Sequence, residues 1–204
     1  RKNISTKIIA ITGSCGKTSL KELLGNALNK ISKTTISPKS YNNKYGVPLS
    51  LFNINQNDDY GVIEVGMDKK GEIDQLSKII QPDISVITNI NYAHAKNFKN
   101  IRQIALAKAE IIDNTKDNGY LVLNADDAFF GLHKKIAHKR KVKVSSFGIN
   151  NQYADIKLHN ITKSKKKYKI CIKINKIKKN FIVSNYFQNY IYNILAALTV
   201  KSVF

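Results

Sequence analysis

Arginine is scarce in this chain. Of 34 basic residues only Arg1, Arg102 and Arg140 are arginines, and the rest are lysines. Acidic residues number 14, which leaves a net charge of +20. So basic a balance points toward nucleic acid or other anionic partners. Readers of nucleic acid, however, lean on the arginine fork for bidentate contacts to bases and phosphates. Its shortage, beside abundant isoleucine and asparagine, argues against a nucleic-acid function and reads the lysines as a solvated surface. Cysteine is nearly absent too. Cys15 and Cys171 are too few and too far apart to suggest a disulfide framework, so a reducing cytoplasm is the expected compartment. No apolar run approaches the twenty residues needed to span a bilayer and no signal-peptide pattern is visible, so no stable membrane insertion is expected. The chain starts at Arg1 without a methionine and stops at Phe204 just after a helical pattern. A further piece is expected on each side.

What is present is enough for a real core: 204 residues, 43% of them hydrophobic. Lys7 to Thr12 is a short, mostly apolar run ending in glycines, which fits a buried parallel strand. Leu20, Leu23, Leu24, Ala27 and Leu28 then follow helical spacing. Between them lies T-G-S-C-G-K-T, a short form of the phosphate loop G-x-x-x-x-G-K-[ST] in which Ile11 takes the place of the first glycine. Strand, glycine loop and amphipathic helix are the context such a loop requires. Lys17 is expected to reach the β- and γ-phosphates and the Thr18 hydroxyl to bind Mg²⁺, with backbone N–H groups holding phosphate oxygens. Ser19 adds a hydroxyl, and Cys15 reads as a small filler.

The alternation continues. Strands are expected at Tyr60–Val65, Ile84–Ile90, Gly119–Asn124 and Val142–Phe147. Helices are expected over Ile73–Ile80, over Ile101–Ile112, and around Phe129, Leu132 and Ile136, the last capped by Asp126 or Asp127. This predicts an α/β fold with a mostly parallel sheet flanked by helices. Residues 153–184 change style. Three β-like runs, with Tyr168, Ile170, Ile172 and Ile174 alternating against lysines, predict a small antiparallel sheet with one covered face. Tyr190 to Val200 returns to helix.

Open parallel sheets bind ligands beyond the carboxyl ends of their strands. Thr12 and Lys17, Glu64, then Thr88, Asn89 and His94, and finally Asn124 and Asp126 all fall at such ends. Glu64 stands in the otherwise apolar YGVIEVG, where an unpaired carboxylate is costly; a metal ion or a basic partner resolves the cost. Mg²⁺ prefers oxygen ligands, so a site that adds His94 would also suit Mn²⁺. Lys108 falls on the inward face set by Ile101, Ile104, Ala105, Ile111 and Ile112. It is either a snorkelling stem or a desolvated amine of lowered pKa, able in its neutral form to take up CO₂.

The stretches TGSCGKTS, YNNKYGVPLSLF, VIEVGMDKKGEI, PDISVITNINYAH, IALAKAEI and VLNADD run in that order from Thr12 to Asp127. Together they resemble the Mur ligase family, the ATP-dependent amide-forming enzymes of peptidoglycan synthesis. The later YIYNILAAL is similar to the family's adenine-side helix. The resemblance is to the central ATP-binding domain and covers 1–204, with a phosphate-loop α/β core over 1–150, an antiparallel part over 151–184 and a returning helix over 185–204. It implies that the family's N- and C-terminal domains lie outside this chain. It implies ATP and Mg²⁺, with Mn²⁺ possible, and UDP-N-acetylmuramoyl-tripeptide and D-alanyl-D-alanine as partners, joined through an acyl phosphate in the cytoplasm. Catalytic roles would fall to Lys17, Lys108 and His94. Nucleotide contacts would fall to Thr12, Gly13, Ser14, Cys15, Gly16, Lys17, Thr18, Ser19 and Asn193. Thr18, Glu64, His94 and Lys108, the last as a carbamate, would bind metal, and Asn42 and Asn43 the muramoyl substrate. Ser14 and Ser19 replace the family's threonines, Asn91 replaces a glycine, and Phe187 and Asn189 stand where a glycine and a histidine are usual. The alternatives are another Mur-type or folylpolyglutamate-type ligase, a phosphate-loop kinase or nucleotide sensor, or a basic nucleic-acid module on 155–180.

Overall fold

A computed structural model of the chain describes residues 5–92, 97–164, 167–174, 177–184 and 191–204. The elements run β1 (Lys7–Thr12), α1 (Lys17–Leu28), β2 (Thr34–Ile36), α2 (Gly46–Phe52), β3 (Tyr60–Glu64), α3 (Glu72–Ile80), β4 (Ile84–Ile87) and α4 (Ile101–Asp113). They continue with β5 (Tyr120–Asn124), α5 (Phe130–Lys139), β6 (Lys143–Gly148), β7 (Ile156–Ser164), β8 (Lys167–Ile174), β9 (Ile177–Ser184) and α6 (Ile191–Ser202). The expected alternation is present. Two elements escaped it: β2 has three residues and α2 seven, too few for a period to show.

The strands form one sheet in the order β2-β3-β1-β4-β5-β6-β7-β8-β9. Pairing is parallel from β2 through β7 and antiparallel from β7 through β9. The antiparallel strands therefore extend the parallel sheet, joined by the short pairing of Phe147 with Ile156 and Gly148 with Lys157. β1 lies between β3 and β4. The chain leaves it toward β3 on one side and returns to β4 on the other, and such a reversal opens a crevice at the strands' carboxyl ends.

Alternation along β1 sends Ile8 and Ala10 into one core and Ile9 and Ile11 into the other. Each isoleucine fully buried there contributes about 1.5–3 kcal/mol. The first core is closed by α3, α4 and α5, through residues such as Ile73, Ile104 and Ala137. The second is closed by α1 and α6, through Leu20, Leu24, Leu195 and Val200, and extends to Ile170 and Ile172 of β8. That is the covered face the isoleucine–lysine alternation foretold; Lys167 and Lys169 face solvent.

Local signals fix α4. The Asn100 side chain accepts from Gln103 N, and Gln103 Oε1 accepts from Lys99 N, a reciprocal cap that satisfies backbone donors before the helix begins. α5 differs from expectation. Its N-cap residue is Phe129, without a side-chain cap. Asp127 accepts from Phe129 N and from Ile90 N, while Asp126 accepts from the N–H groups of Ile149, Asn150 and Asn151. Both carboxylates tie loops together at the strand ends instead of capping the helix.

Candidate active site

The glycine loop is shaped by two left-handed residues. Gly13 has φ 144°, and a Cβ there would lie 1.9 Å from Thr88 Oγ1; Gly16 has φ 81° and begins α1. Both positions demand glycine, since L side chains avoid that region. The chain just after β4 braces the loop. Thr88 Oγ1 donates to Cys15 O at 2.7 Å, Cys15 N donates to Asn89 Oδ1 at 2.9 Å, and Ser14 N donates to Asn89 O at 2.9 Å. Ser14 Oγ donates to Asn91 O at 3.0 Å. Lys17 Nζ arches back to Gly13 O at 2.9 Å. The first turn of α1 has no acidic residue and no side-chain cap, so its N–H groups and helix dipole are disposed toward an anion. Thr12 Oγ1 is buried without a hydrogen-bond partner among the described residues. Asn193 of α6 closes the other side, its Oδ1 3.2 Å from where a Gly16 Cβ would stand. Of the expected nucleotide residues, Gly13, Ser14, Cys15 and Lys17 are thus tied to one another or to the chain after β4, Asn193 lies beside Gly16, and Ser19 is exposed.

Replacing Gly13 by alanine is expected to weaken ADP binding at least about tenfold, because the loop must move away from Thr88 and leave its strained φ. Gly71→Ala is the control. Its φ is 89° with open space around it, so it costs stability of about 1–2 kcal/mol and leaves ADP affinity unchanged. Calorimetric titration of both variants checks this.

Beside the loop lies the end of β3. Glu64 is 1% exposed. Thr18 Oγ1 donates to its Oε2 at 2.8 Å and Asn42 Nδ2 to its Oε1 at 2.7 Å. Each oxygen accepts one bond and keeps lone-pair capacity. The carboxylate and the hydroxyl form a hard oxygen pair of the kind Mg²⁺ takes. Among the described residues no group of three His, Cys, Asp or Glu converges, and His94 lies outside them. Asn43 Oδ1 accepts from Tyr45 N and Gly46 N and so opens α2. Lys17, Asn42, Asn43, Lys44, Lys69 and Lys70 help line a cavity of about 450 Å³.

Lys108 is 2% exposed on α4. Burial, reinforced by the positive charge of Lys17 and opposed by Cys15, lowers its pKa from 10.5 to about 7. Of the two readings open in the sequence, this favours the desolvated amine over the snorkelling stem. On the opposite flank, Tyr192 donates to Asp126 Oδ2 at 3.0 Å. Burial first, and Asp126 second, push that phenol up to about 12.

The structure thus brings Glu64 together with Thr18 and Asn42, while Lys17 turns to Gly13 O and is electrostatically coupled to Lys108. The braces Thr88 and Asn89 stood out in the sequence only as polar residues at a strand end, and Phe187 and Asn189 lie outside the described residues. Lys21 was missed. It is wholly buried among Leu20, Leu24 and Leu28. Its spacing of three residues from Leu24 and seven from Leu28 is the signal that revealed Lys108.

The profile of the Mur ligase middle domain matches residues 11–201. The UDP-N-acetylmuramoyl-tripeptide–D-alanyl-D-alanine ligase of Buchnera aphidicola subsp. Acyrthosiphon pisum is 40% identical over 183 residues, 86% of this chain and 39% of that protein. The Bacillus subtilis protein of the same name is 30% identical over 203 residues, 100% of this chain and 42% of that protein. Among solved structures, the MurF ligase of Thermotoga maritima in complex with ADP superposes with a TM-score of 0.88 at 29% identity, covering 99% of this chain and 46% of that one. The chain spans about two fifths of the length of the curated relatives. With the glycine loop and the buried Glu64 joined through Thr18 at the strand ends, and a match over nearly its whole length, the chain belongs to the Mur ligase family.

Proposed function

We propose that the protein is the central part of an ATP-dependent ligase that adds D-alanyl-D-alanine to UDP-N-acetylmuramoyl-tripeptide in the cytoplasm. The observation that carries this reading is the Thr18–Glu64–Asn42 junction. One carboxylate is held from the phosphate-loop side and from the cavity side at once. The relatives' names favour this reading over a folylpolyglutamate or nucleic-acid role. The domain division follows the resemblance: a phosphate-loop core over 1–150, an antiparallel part over 151–184 and a returning helix from 185. The N-terminal and C-terminal domains of the same enzyme would complete the two substrate sites, so this segment alone would be inactive or weakly active.

In the first step the terminal carboxylate of the tripeptide attacks the γ-phosphorus of ATP, forming an acyl phosphate and releasing ADP. In the second, the amine of D-alanyl-D-alanine attacks the acyl carbon, and phosphate leaves as the amide forms. The chain's task is positioning and charge neutralisation. The N–H groups of the loop and of the first turn of α1 hold phosphate oxygens, and Lys17 swings from Gly13 O to the β- and γ-phosphates. Mg²⁺, or Mn²⁺, held by Glu64 and Thr18, with His94 and a Lys108 carbamate as further ligands, would offset the phosphates' negative charge. Lys108, half neutral near pH 7, gains a carboxylate by adding CO₂ and releasing a proton. Asn42 and Asn43, with Lys44, Lys69 and Lys70, face the anionic peptide of the acceptor.

Lys17→Ala is expected to weaken ATP binding at least about tenfold and to lower ligation by about a hundredfold or more, since a charge opposite the transferring phosphoryl group is lost. Melting temperature should hold, because Lys17 is only half-buried. ATP affinity within twofold of wild type would remove the nucleotide site from this loop.

A further inference from the structure

Lys21 takes no part in the chemistry proposed above, yet its side chain is 0% exposed. A buried ammonium needs an acceptor for each of its three N–H groups, or its desolvation costs several kcal/mol. All three are present: Ser37 O at 2.7 Å, Lys39 O, and Glu22 Oε1 at 3.1 Å. Two of them belong to one turn, the one that leads from β2 to Asn42. Within it Lys39 has φ 45°, a conformation that costs a non-glycine residue about 1–2 kcal/mol and so needs holding.

That turn and the Asn42 that follows it reach Glu64 through two bonds and Gly66 through a third. Ser37 Oγ accepts from Glu64 N at 3.1 Å, Asn42 O accepts from Gly66 N at 2.8 Å, and Asn42 Nδ2 donates to Glu64 Oε1 at 2.7 Å. Thr18, three residues before Lys21 on α1, holds the other carboxylate oxygen. The ammonium therefore fixes the separation between the helix that carries the phosphate loop and the turn that carries Asn42.

We propose that Lys21 is a positioning residue: by clamping the Ser37–Lys39 turn onto α1 it sets the orientation of the Glu64 carboxylate and of the Asn42–Asn43 segment, and so couples the nucleotide side of the site to the acceptor side. The proposal rests on the reading of Glu64 as a metal ligand and of Asn42 as an acceptor contact. Lys21→Met keeps the stem and removes the charge.

The test measures Mn²⁺ affinity by electron paramagnetic resonance, ADP affinity without metal, and KM for the muramoyl acceptor, all in the full-length enzyme. Lys21→Met should weaken Mn²⁺ binding about tenfold or more, in the range seen when partners of metal ligands are removed, and raise the acceptor KM by a similar factor. ADP affinity should stay within about threefold, as Lys21 touches no phosphate-binding atom. A folded Lys21→Met protein whose Mn²⁺ affinity and acceptor KM lie within twofold of wild type overturns the proposal, even if its melting temperature falls. If that variant does not fold, Ser37→Ala decides. It removes one bond between the same turn and Glu64 and should weaken Mn²⁺ at least about threefold; no change overturns the proposal. A wild-type enzyme that binds Mn²⁺ but forms no amide defeats the ligase reading instead, and the Mn²⁺ comparison still judges Lys21.

Discussion

Glu64→Gln is expected to lower Mn²⁺ affinity by at least about a hundredfold and to stop ligation, while the protein remains folded. The substitution preserves volume and shape at a site that is 1% exposed, so no cavity opens. The new amide can keep its oxygen toward Asn42 Nδ2 and turn its nitrogen toward Thr18 Oγ1, a hydroxyl that accepts as readily as it donates. The cost in stability is then about 1 kcal/mol, the scale of one exchanged hydrogen bond. What disappears is the anionic oxygen, and a hard cation held by few protein ligands does not tolerate that loss. Calorimetric Mn²⁺ titration together with thermal melting separates the two effects. Full Mn²⁺ affinity in a folded Glu64→Gln protein would mean the carboxylate is a structural anchor between β3, α1 and the Asn42 turn.

Lys108→Met should make the metal-free protein more stable at pH 6, with an advantage that shrinks as pH rises. In the folded protein the amine titrates at about 7, against 10.5 ordinarily. Below pH 7 the folded state carries a buried charge and bears its full desolvation cost. Between pH 7 and 10.5 the folded amine is neutral while the unfolded chain still binds a proton there, so wild-type stability rises with pH. The contribution of this one group is at most about 1.4 kcal/mol per pH unit. Methionine has similar length and no charge, so its stability lacks that slope. Urea unfolding of both proteins at pH 6, 7.5 and 9 isolates the group. The same variant should lose ligase activity at every pH, because it can form no carbamate. A stability gap that does not change with pH would place the Lys108 amine in water.

The fold was legible wherever a buried period was long enough to count. The apolar run Lys7–Thr12 and the stripe through Ile101–Ile112 led directly to β1 and α4. The Tyr168–Ile174 alternation gave the covered face of β8. β2 and α2 stayed hidden because three and seven residues hold less than two periods of a helix, and α2 takes Pro48 in its first turn, where the missing N–H costs nothing. Within the site, Glu64 and Lys108 were readable as charges in apolar company. Lys21 was equally readable but lay just past the residues assigned to the loop, within the helix face read from Leu20 to Leu28. The cooperation of Thr88 and Asn89 with the loop was not legible, since it depends on β4 lying beside β1, and strand order is not written in local sequence. Asp126 and Asp127 looked like helix caps because their short carboxylates suit that role; tertiary donors from 149–151 and from Ile90 claimed them instead.

The most direct test is a crystal of the full-length enzyme grown with ADP and Mn²⁺, with the cation located by its anomalous signal. The account predicts phosphates seated on the N–H groups of residues 13–18 and a Mn²⁺ peak bonded to Glu64, on the same rim of the sheet. A nucleotide bound elsewhere, or a cation whose ligands exclude Glu64, would contradict it.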